Sequence, residues 1–513
     1  MKAESSLMKK NRQNSTARNW FETKEILSEL KNITAHGAVV TIIGQAAKLL
    51  LTMLSTFILA RLLTPEDYGL VAMVATFLIF ASLFKDIGLS MATVQYETIN
   101  HEQISALFWI NTAISVSLSL LLCAVSPLIS WFYSEPRLLP ITIAGSLSFI
   151  FSGLGIQHSA LLRRKMLFTI LTRIEIFSMV TGVAISIFIA LLSHSYWALV
   201  ISELTSGCIS CLLVWRATDW RPGKPQRTKE IKGMLRFGRG LTGFNIINYF
   251  ARNADNVLIG YFCGASSLGL YNKAYNLLML PLSQINTPLS NVAIPALSRL
   301  QKDPQKYSDA YYSALNIVAY LTLPLMGFLI ITAEELIVVL LGEQWRDSAA
   351  IFRMLGVAGL VQPLGNTVGW VYTSLGQTDR MFRWGMLSSP LMVLSFLVGI
   401  HWGALGVATC YTVVVYLLAG PMFWYAYRFS PINCRRAAVS VIRPAELTFL
   451  VILTGCLLNS LRLAPTLLLD LVNHSAAAAI TVGICFFLLP GMKIEIMGAW
   501  RVAHDGFKDR RKI

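Results

Sequence analysis

Apolar residues run along this chain in blocks of about 20, separated by short polar punctuation. A block of that length covers a hydrocarbon core of about 30 Å as an α-helix. The blocks predict helices at 36–60, 68–88, 104–126, 139–160, 168–191, 196–215, 241–262, 267–290, 310–331, 349–372, 383–401, 403–427, 445–462 and 471–490. The predicted class is an all-α integral membrane protein with about 14 transmembrane helices. An even count puts both termini on one side.

The punctuation repeats. "RLLTPEDYGL" (61–70) joins the first two helices, and "YFCGASSLGL" (261–270) joins the seventh and eighth. Leu62 aligns with Phe262, Gly69 with Gly269 and Leu70 with Leu270 without a gap. Looser echoes, "SYWALV" and "WGALGV", fall at the fifth-to-sixth and eleventh-to-twelfth junctions. A six-helix period about a central linker predicts two six-helix lobes plus two C-terminal helices. The expected organisation is a basic N-terminal segment at 1–35, an N-lobe at 36–215, a basic linker at 216–240 and a C-lobe at 241–427. Helices 13 and 14 follow at 445–490, and a basic tail at 491–513. Repeats of this kind place a substrate site at their interface near the membrane midplane.

Composition agrees with a bilayer as solvent. Of 513 residues, 55% are hydrophobic and 14% charged, with mean hydropathy +0.58; soluble domains carry about 25% charged residues. The first 35 residues are polar and basic and show no signal-peptide core. Nearly all of the eight cysteines fall inside apolar runs, so Cys208 and Cys211 read as small packing residues, not as a redox or metal pair. The net charge of +16 invites a nucleic-acid reading, but topology accounts for it. With a cytoplasmic N-terminus, the inner segments hold about 35 of the 43 Lys and Arg residues, as the positive-inside rule requires. Arg163, Arg164 and Lys165 fall in one such segment, and Arg61, Arg137, Arg346 and Arg462 in outer ones. Contact with anionic lipids is a by-product of that bias.

"ILARLLTPEDYGLVAMV", "LFKDIGLSMATVQ", "ISALFWIN" and "DNVLIGYFCGASSLGLYNKAYNLLMLPLSQ" together resemble the polysaccharide exporter (Wzx-type flippase) branch of the MATE-like MOP flippase superfamily, which includes colanic-acid and other exopolysaccharide exporters. The resemblance covers helices 1 to 12. It implies a multi-pass bacterial inner-membrane protein with cytoplasmic termini, built as a V-shaped pair of lobes. It implies alternating access that moves an undecaprenyl-diphosphate-linked oligosaccharide to the periplasmic leaflet. Polysaccharide polymerase and glycosyltransferases are the partners implied beside the membrane lipids, with no cofactor and no nucleic acid. Sugar identity does not carry over, because the cavity linings of these proteins diverge.

Charged residues inside apolar runs are the candidates for chemistry, since each costs about 2.5–3.5 kcal/mol at a helix centre and tends to face a bundle interior or aqueous cavity. Lys48 lies halfway along helix 1 and suits either a substrate phosphate or a buried carboxylate partner. Arg252 and Asp255 are three apart on helix 7 and share a face. They read either as a self-neutralised pair or as a guanidinium for phosphate with a carboxylate for a coupling ion. Lys273 on helix 8 reads as substrate-binding or as snorkelling to the outer interface. Glu203 on helix 6 is a second coupling-ion candidate beside a structural reading. Arg353, Arg173, Glu175, Lys85 and Asp86 read as interfacial. Pro281, Pro288 and Pro295 are expected to break helix 8 and its extension, and Trp109, Trp131, Trp197, Trp370 and Trp402 to form interfacial belts.

A site for organic cations wants carboxylates and aromatics. Here the deep residues are more basic than acidic, which favours an anionic headgroup over the cation or drug substrate of a MATE-type antiporter. A glycosyltransferase or polymerase needs carboxylates or a metal facing a sugar-binding loop. The outer loops are short and the seven His form no ligand cluster, so the reading is a transporter, not an enzyme. A lipid II flippase remains a close alternative.

Overall fold

The computed structural model describes residues 30–85, 89–96, 99–224, 231–461 and 466–488; within 30–39 and 231–252 the description is of backbone, Tyr249 excepted. Most of the expected 1–35 segment, residues 225–230 of the linker, the 491–513 tail and Asp86 lie outside the described residues.

Every long apolar block is a helix, because in lipid only a helix satisfies its own backbone groups. By contacts the described chain forms two compact units, one ending at Asn253 and the other beginning at Ala254. The first unit holds α1 (Leu30–Leu62), α2 (Pro65–Ser82), α3 (Leu89–Gln95), α4 (His101–Tyr133), α5 (Leu138–Arg164), α6 (Phe168–Ser193), α7 (Trp197–Ala217) and the start of α8 (Ile231–Arg299). In this unit α4 packs on α5, α6 on α7, α5 on α7 and α1 on α6. One apolar cluster of this unit gathers Leu107, Phe108, Leu161, Val214 and Trp220.

The second unit holds the rest of α8, then α9 (Pro304–Ile331), α10 (Ala333–Leu341), α11 (Ser348–Gly359), α12 (Gln362–Ser374), α13 (Thr378–Gly399), α14 (Gly403–Tyr427), α15 (Cys434–Leu461) and α16 (Leu467–Leu488). Here α9 packs on α15, α13 on α14, α11 on α14, and α16 on α15. The two C-terminal helices therefore dock on the second unit. Its core is aromatic, with the Tyr311 hydroxyl 2.8 Å from both Thr367 Oγ1 and the Tyr427 hydroxyl.

Among the described residues, ten stretches are long and apolar enough to cross a membrane, or eleven if α11 and α12, bent by 40°, form one span. That count does not confirm the expected 14. The difference lies at Thr378–Tyr427, one 50-residue stretch that contains both α13 and α14, and at α8, which is not among the ten. Two helices were not expected. The short α3 follows α2, and α10 lies between the helices expected at 310–331 and 349–372.

The sequence echo has a backbone counterpart. In the 61–70 and 261–270 alignment, Thr64 falls opposite Gly264. Thr64 caps α2 in a capping box: its Oγ1 accepts the Asp67 N–H at 3.2 Å, and Asp67 Oδ2 accepts the Thr64 N–H at 2.9 Å. Gly264 (φ 80°, ψ 179°) is the non-helical residue inside α8, the point where one helix stops and the next starts. All seven positive-φ residues among those described fall at helix junctions. Ser134 and Gly342 follow helices 3 and 9, Met166 and Gly376 follow helices 4 and 10, and His194 and Gly403 lie at the fifth-to-sixth and eleventh-to-twelfth junctions. The Met166 and Gly376 turns share a Schellman pattern: Leu167 N–H donates to Leu162 O at 2.9 Å, and Gln377 N–H to Tyr372 O at 2.8 Å. The turns after Arg164 and Ser374 are therefore alike in the two units.

Pro281, Pro288 and Pro295 do not break α8; they lie within it, and the break is at Gly264. Each proline removes one backbone hydrogen bond without forcing a stop.

Candidate functional site

In the first unit, Lys48 on α1 meets Glu175 on α6, Nζ to Oε2 at 2.6 Å, with side chains 26% and 42% exposed. One turn before Lys48, α1 presents Gly44, where a Cβ would collide with Thr172 Cγ2 of α6. The missing side chain lets the helices approach closely enough for the ion pair to close. Glu175 was expected at the interface with solvent; instead it partners Lys48 across the helix contact, while Arg173 is exposed.

Glu203 is exposed on α7 and makes no ion pair among the described residues. Of the basic triplet Arg163, Arg164 and Lys165, only Arg163 is exposed. Arg164 is 5% exposed and donates to the carbonyls of Thr93 at 3.0 Å and Tyr96 at 2.6 Å, which clamps the C-terminal end of α3. Thr93 also donates to Gln157 Oε1 at 2.9 Å. Nothing in a run of three basic residues says which one turns inward.

In the second unit, Asp255 is buried, its Oδ2 accepting from the Tyr271 hydroxyl at 2.9 Å and its Oδ1 from the Asn256 N–H at 2.8 Å. Tyr271 follows the Gly264 turn, so the bond joins the two arms of that hairpin. Lys273 is buried, with Nζ 6.0 Å from the ring centroid of Trp345, within cation–π range. Arg252 lies on the α8 backbone, and its side chain is outside the described residues. Trp370, expected in a belt, is instead buried and donates to Ser290 Oγ at 2.8 Å; Trp131 and Trp402 are exposed.

The structure therefore brings Lys48 to Glu175 and Asp255 to Tyr271. Lys48 is answered by an opposite charge and Asp255 by a hydroxyl donor, each within its own unit. Among the described residues no group of three or more His, Cys, Asp and Glu could hold a metal ion.

The family model described as "Polysaccharide biosynthesis protein" matches residues 58–350, more than half of the chain. The lipopolysaccharide biosynthesis protein WzxC of Escherichia coli (strain K12) is 25% identical over 392 residues, covering 75% of this chain and 79% of that protein. The teichuronic acid biosynthesis protein TuaB of Bacillus subtilis (strain 168) is 26% identical over 431 residues, covering 83% and 87%. Among solved structures, lipid II flippase MurJ in an inward closed conformation matches with TM-score 0.69 at 14% identity, over 89% of this chain and 99% of that one. At that identity the likeness is one of fold, an all-helical membrane architecture. The family match spans the Thr64 and Gly264 junctions of both halves, and the chain belongs to the polysaccharide biosynthesis protein family.

Proposed function

We propose that the chain is a flippase that carries undecaprenyl-diphosphate-linked oligosaccharide repeat units across the bacterial inner membrane by alternating access. The observation that carries this reading is membership of a polysaccharide biosynthesis family by a chain built of membrane-spanning helices. Sugars assembled on a polyprenyl carrier must pass a polar head through hydrocarbon, where unsatisfied polar groups cost several kcal/mol each. A path lined by answered charges lowers that barrier.

In this reading the N-lobe (36–215) and C-lobe (241–427) line the path, and the helices at 445–490 flank the C-lobe. Both termini are cytoplasmic, which supports assigning Arg137 and Arg346 to the periplasmic ends. Lys48, Arg252 and Lys273 attract the diphosphate, and Asp255 and Glu203 serve a coupling ion. Lys48 exchanges Glu175 for the substrate phosphate as the headgroup enters. The protein forms and breaks no covalent bond. It passes substrate from the glycosyltransferases that build the repeat unit to the polymerase that consumes it.

Deleting the gene tests the proposal. The lipid-linked repeat unit should accumulate in the cytoplasmic leaflet, and a plasmid copy should clear it. Normal delivery of the repeat unit to the periplasmic leaflet in the deletion strain would contradict it. Orientation has its own test. Single cysteines at Ser195 and Ser266 should react with impermeant thiol reagent from outside, and one at Lys302 should not.

A further inference from the structure

A cleft of about 510 Å³ opens in the second unit where α10, α11 and α14 end or begin. Its volume falls in the ~300–1,000 Å³ range of small-molecule sites. Its lining mixes three kinds of group. Trp402 supplies an aromatic face and is 69% exposed. Glu334 and Asp347 supply carboxylate acceptors, and Arg346 and Arg353 supply guanidinium donors. The first turns of α11 and α14 reach the wall through Ala349, Ala350, Ala404 and Leu405; the Ala349 N–H is taken by the Arg346 carbonyl at 2.9 Å.

The parts are held in place. Arg346 bonds Glu334 Oε1 at 2.9 Å and Glu343 Oε1 at 2.6 Å, which fixes one wall. Gly403 turns the chain at φ 70°, and Gly406 leaves the space into which the Trp402 Cβ fits. Arg353 and Asp347 line the cleft and have no ion pair among the described residues. A purely anionic ligand such as a lipid phosphate would meet two carboxylates here. A sugar ring is what uses every part. Its apolar face covers an indole, its hydroxyls donate to carboxylates, and they accept from guanidinium groups.

We propose that this cleft is an outward-facing glycan subsite, which takes a pyranose ring of the oligosaccharide after it has crossed. The proposal rests on the flippase reading and on the orientation it carries. It makes the C-lobe a receiving surface that holds the delivered headgroup away from the path and so disfavours its return.

The test uses the full chain purified in detergent and, as probe, the free oligosaccharide released by mild acid from the cell's own lipid-linked repeat unit. Saturation-transfer NMR and tryptophan emission should show saturable binding to the wild type. Trp402→Leu should weaken it by about tenfold, and Asp347→Asn and Arg353→Gln by a smaller factor each. These side chains are exposed, so the variants should keep wild-type thermal stability, which is measured alongside. No binding by the wild type, equal binding by wild type and Trp402→Leu, or a response to phosphatidylglycerol without one to the glycan would each overturn the subsite. The deletion experiment separates the two claims. Accumulation of lipid-linked repeat unit together with unchanged glycan binding by Trp402→Leu refutes only the subsite; no accumulation refutes the flippase.

Discussion

Lys48 Nζ lies 2.6 Å from Glu175 Oε2, and the two residues stand 127 positions apart in the chain. The pairing offsets the cost of placing Lys48 in the apolar run of α1. The pair is only partly buried. Breaking it costs less than the ~3–5 kcal/mol of a fully buried pair and more than the ~0–1 kcal/mol of a surface one. A lysine whose partner is half-exposed can exchange that partner for a phosphate.

This pair makes a prediction in three strains. Lys48→Ala strands the Glu175 carboxylate and should lower both membrane abundance and export. Lys48→Ala with Glu175→Gln removes both charges, so abundance should return to normal while export stays low. Immunoblots and surface polysaccharide, measured in the same cells, read both. Full export by the double variant would remove Lys48 from the substrate path.

Gly264 has φ 80° and ψ 179°, a region of backbone space that is essentially glycine-only. No atom lies within 4 Å of a Cβ built there, so the cost of a side chain is torsional alone. Gly264→Ala should destabilise the protein by about 1–3 kcal/mol. Thr64→Gly, at the aligned junction, should lose only a few tenths of a kcal/mol, because glycine is itself a tolerated cap. Thermal unfolding in detergent compares them; equal effects would deny the two junctions their different backbone roles.

These positions show what was legible in the sequence. The long helices were, because 20 apolar residues in lipid leave the backbone one solution. The repeat was, because its junctions are short and carry Gly69 and Gly269. Helix α10 was not, since Glu334 and Glu335 in its first turn read as loop charge when they mark a helix start. The partner of Lys48 was not, because pairing across α1 and α6 is a tertiary contact with no local signature. The same holds for Arg164, whose neighbours in sequence are chemically alike, and for Trp370, whose polar partner Ser290 lies 80 residues away.

Tyr271 donates to Asp255 across the Gly264 turn. Tyr271→Phe leaves that buried carboxylate with its backbone donor Asn256 and should cost about 1.5–3 kcal/mol, as loss of a hydrogen bond to a charged group does. Asp255→Asn keeps an acceptor for Tyr271 and should cost less, while abolishing any dependence of transport on the coupling cation. Melting curves and transport at varied sodium and proton concentration measure the two effects. A Tyr271→Phe variant as stable as wild type would show that the bond does not brace the hairpin.

At one end of the first unit, Arg137 bonds Glu135 at 2.8 Å and Glu66 at 2.5 Å, tying the connection between α4 and α5 to the start of α2. The hydrogen bond from Arg137 holds the Glu135 carboxyl below its ordinary value of 4.5. A depressed carboxylate stabilises the fold above its unfolded pKa, and the contribution is lost as pH falls through the folded one. Arg137→Ala should therefore lower stability by less than about 1 kcal/mol at pH 7, given the exposure of the pair. The gap between wild type and variant should shrink steadily below pH 4.5. A gap independent of pH would assign the effect to packing.

Translocation itself is read most directly in liposomes. The purified chain is reconstituted with lipid-linked repeat unit isolated from the deletion strain, and impermeant periodate reports the sugar exposed in the outer leaflet. Without protein only the outer-leaflet pool should be oxidised. With protein the inner pool should follow it, and Lys48→Ala/Glu175→Gln should slow that second phase. An inner pool that stays protected in the presence of folded wild-type protein, under imposed proton and sodium gradients of either direction, would contradict the flippase account.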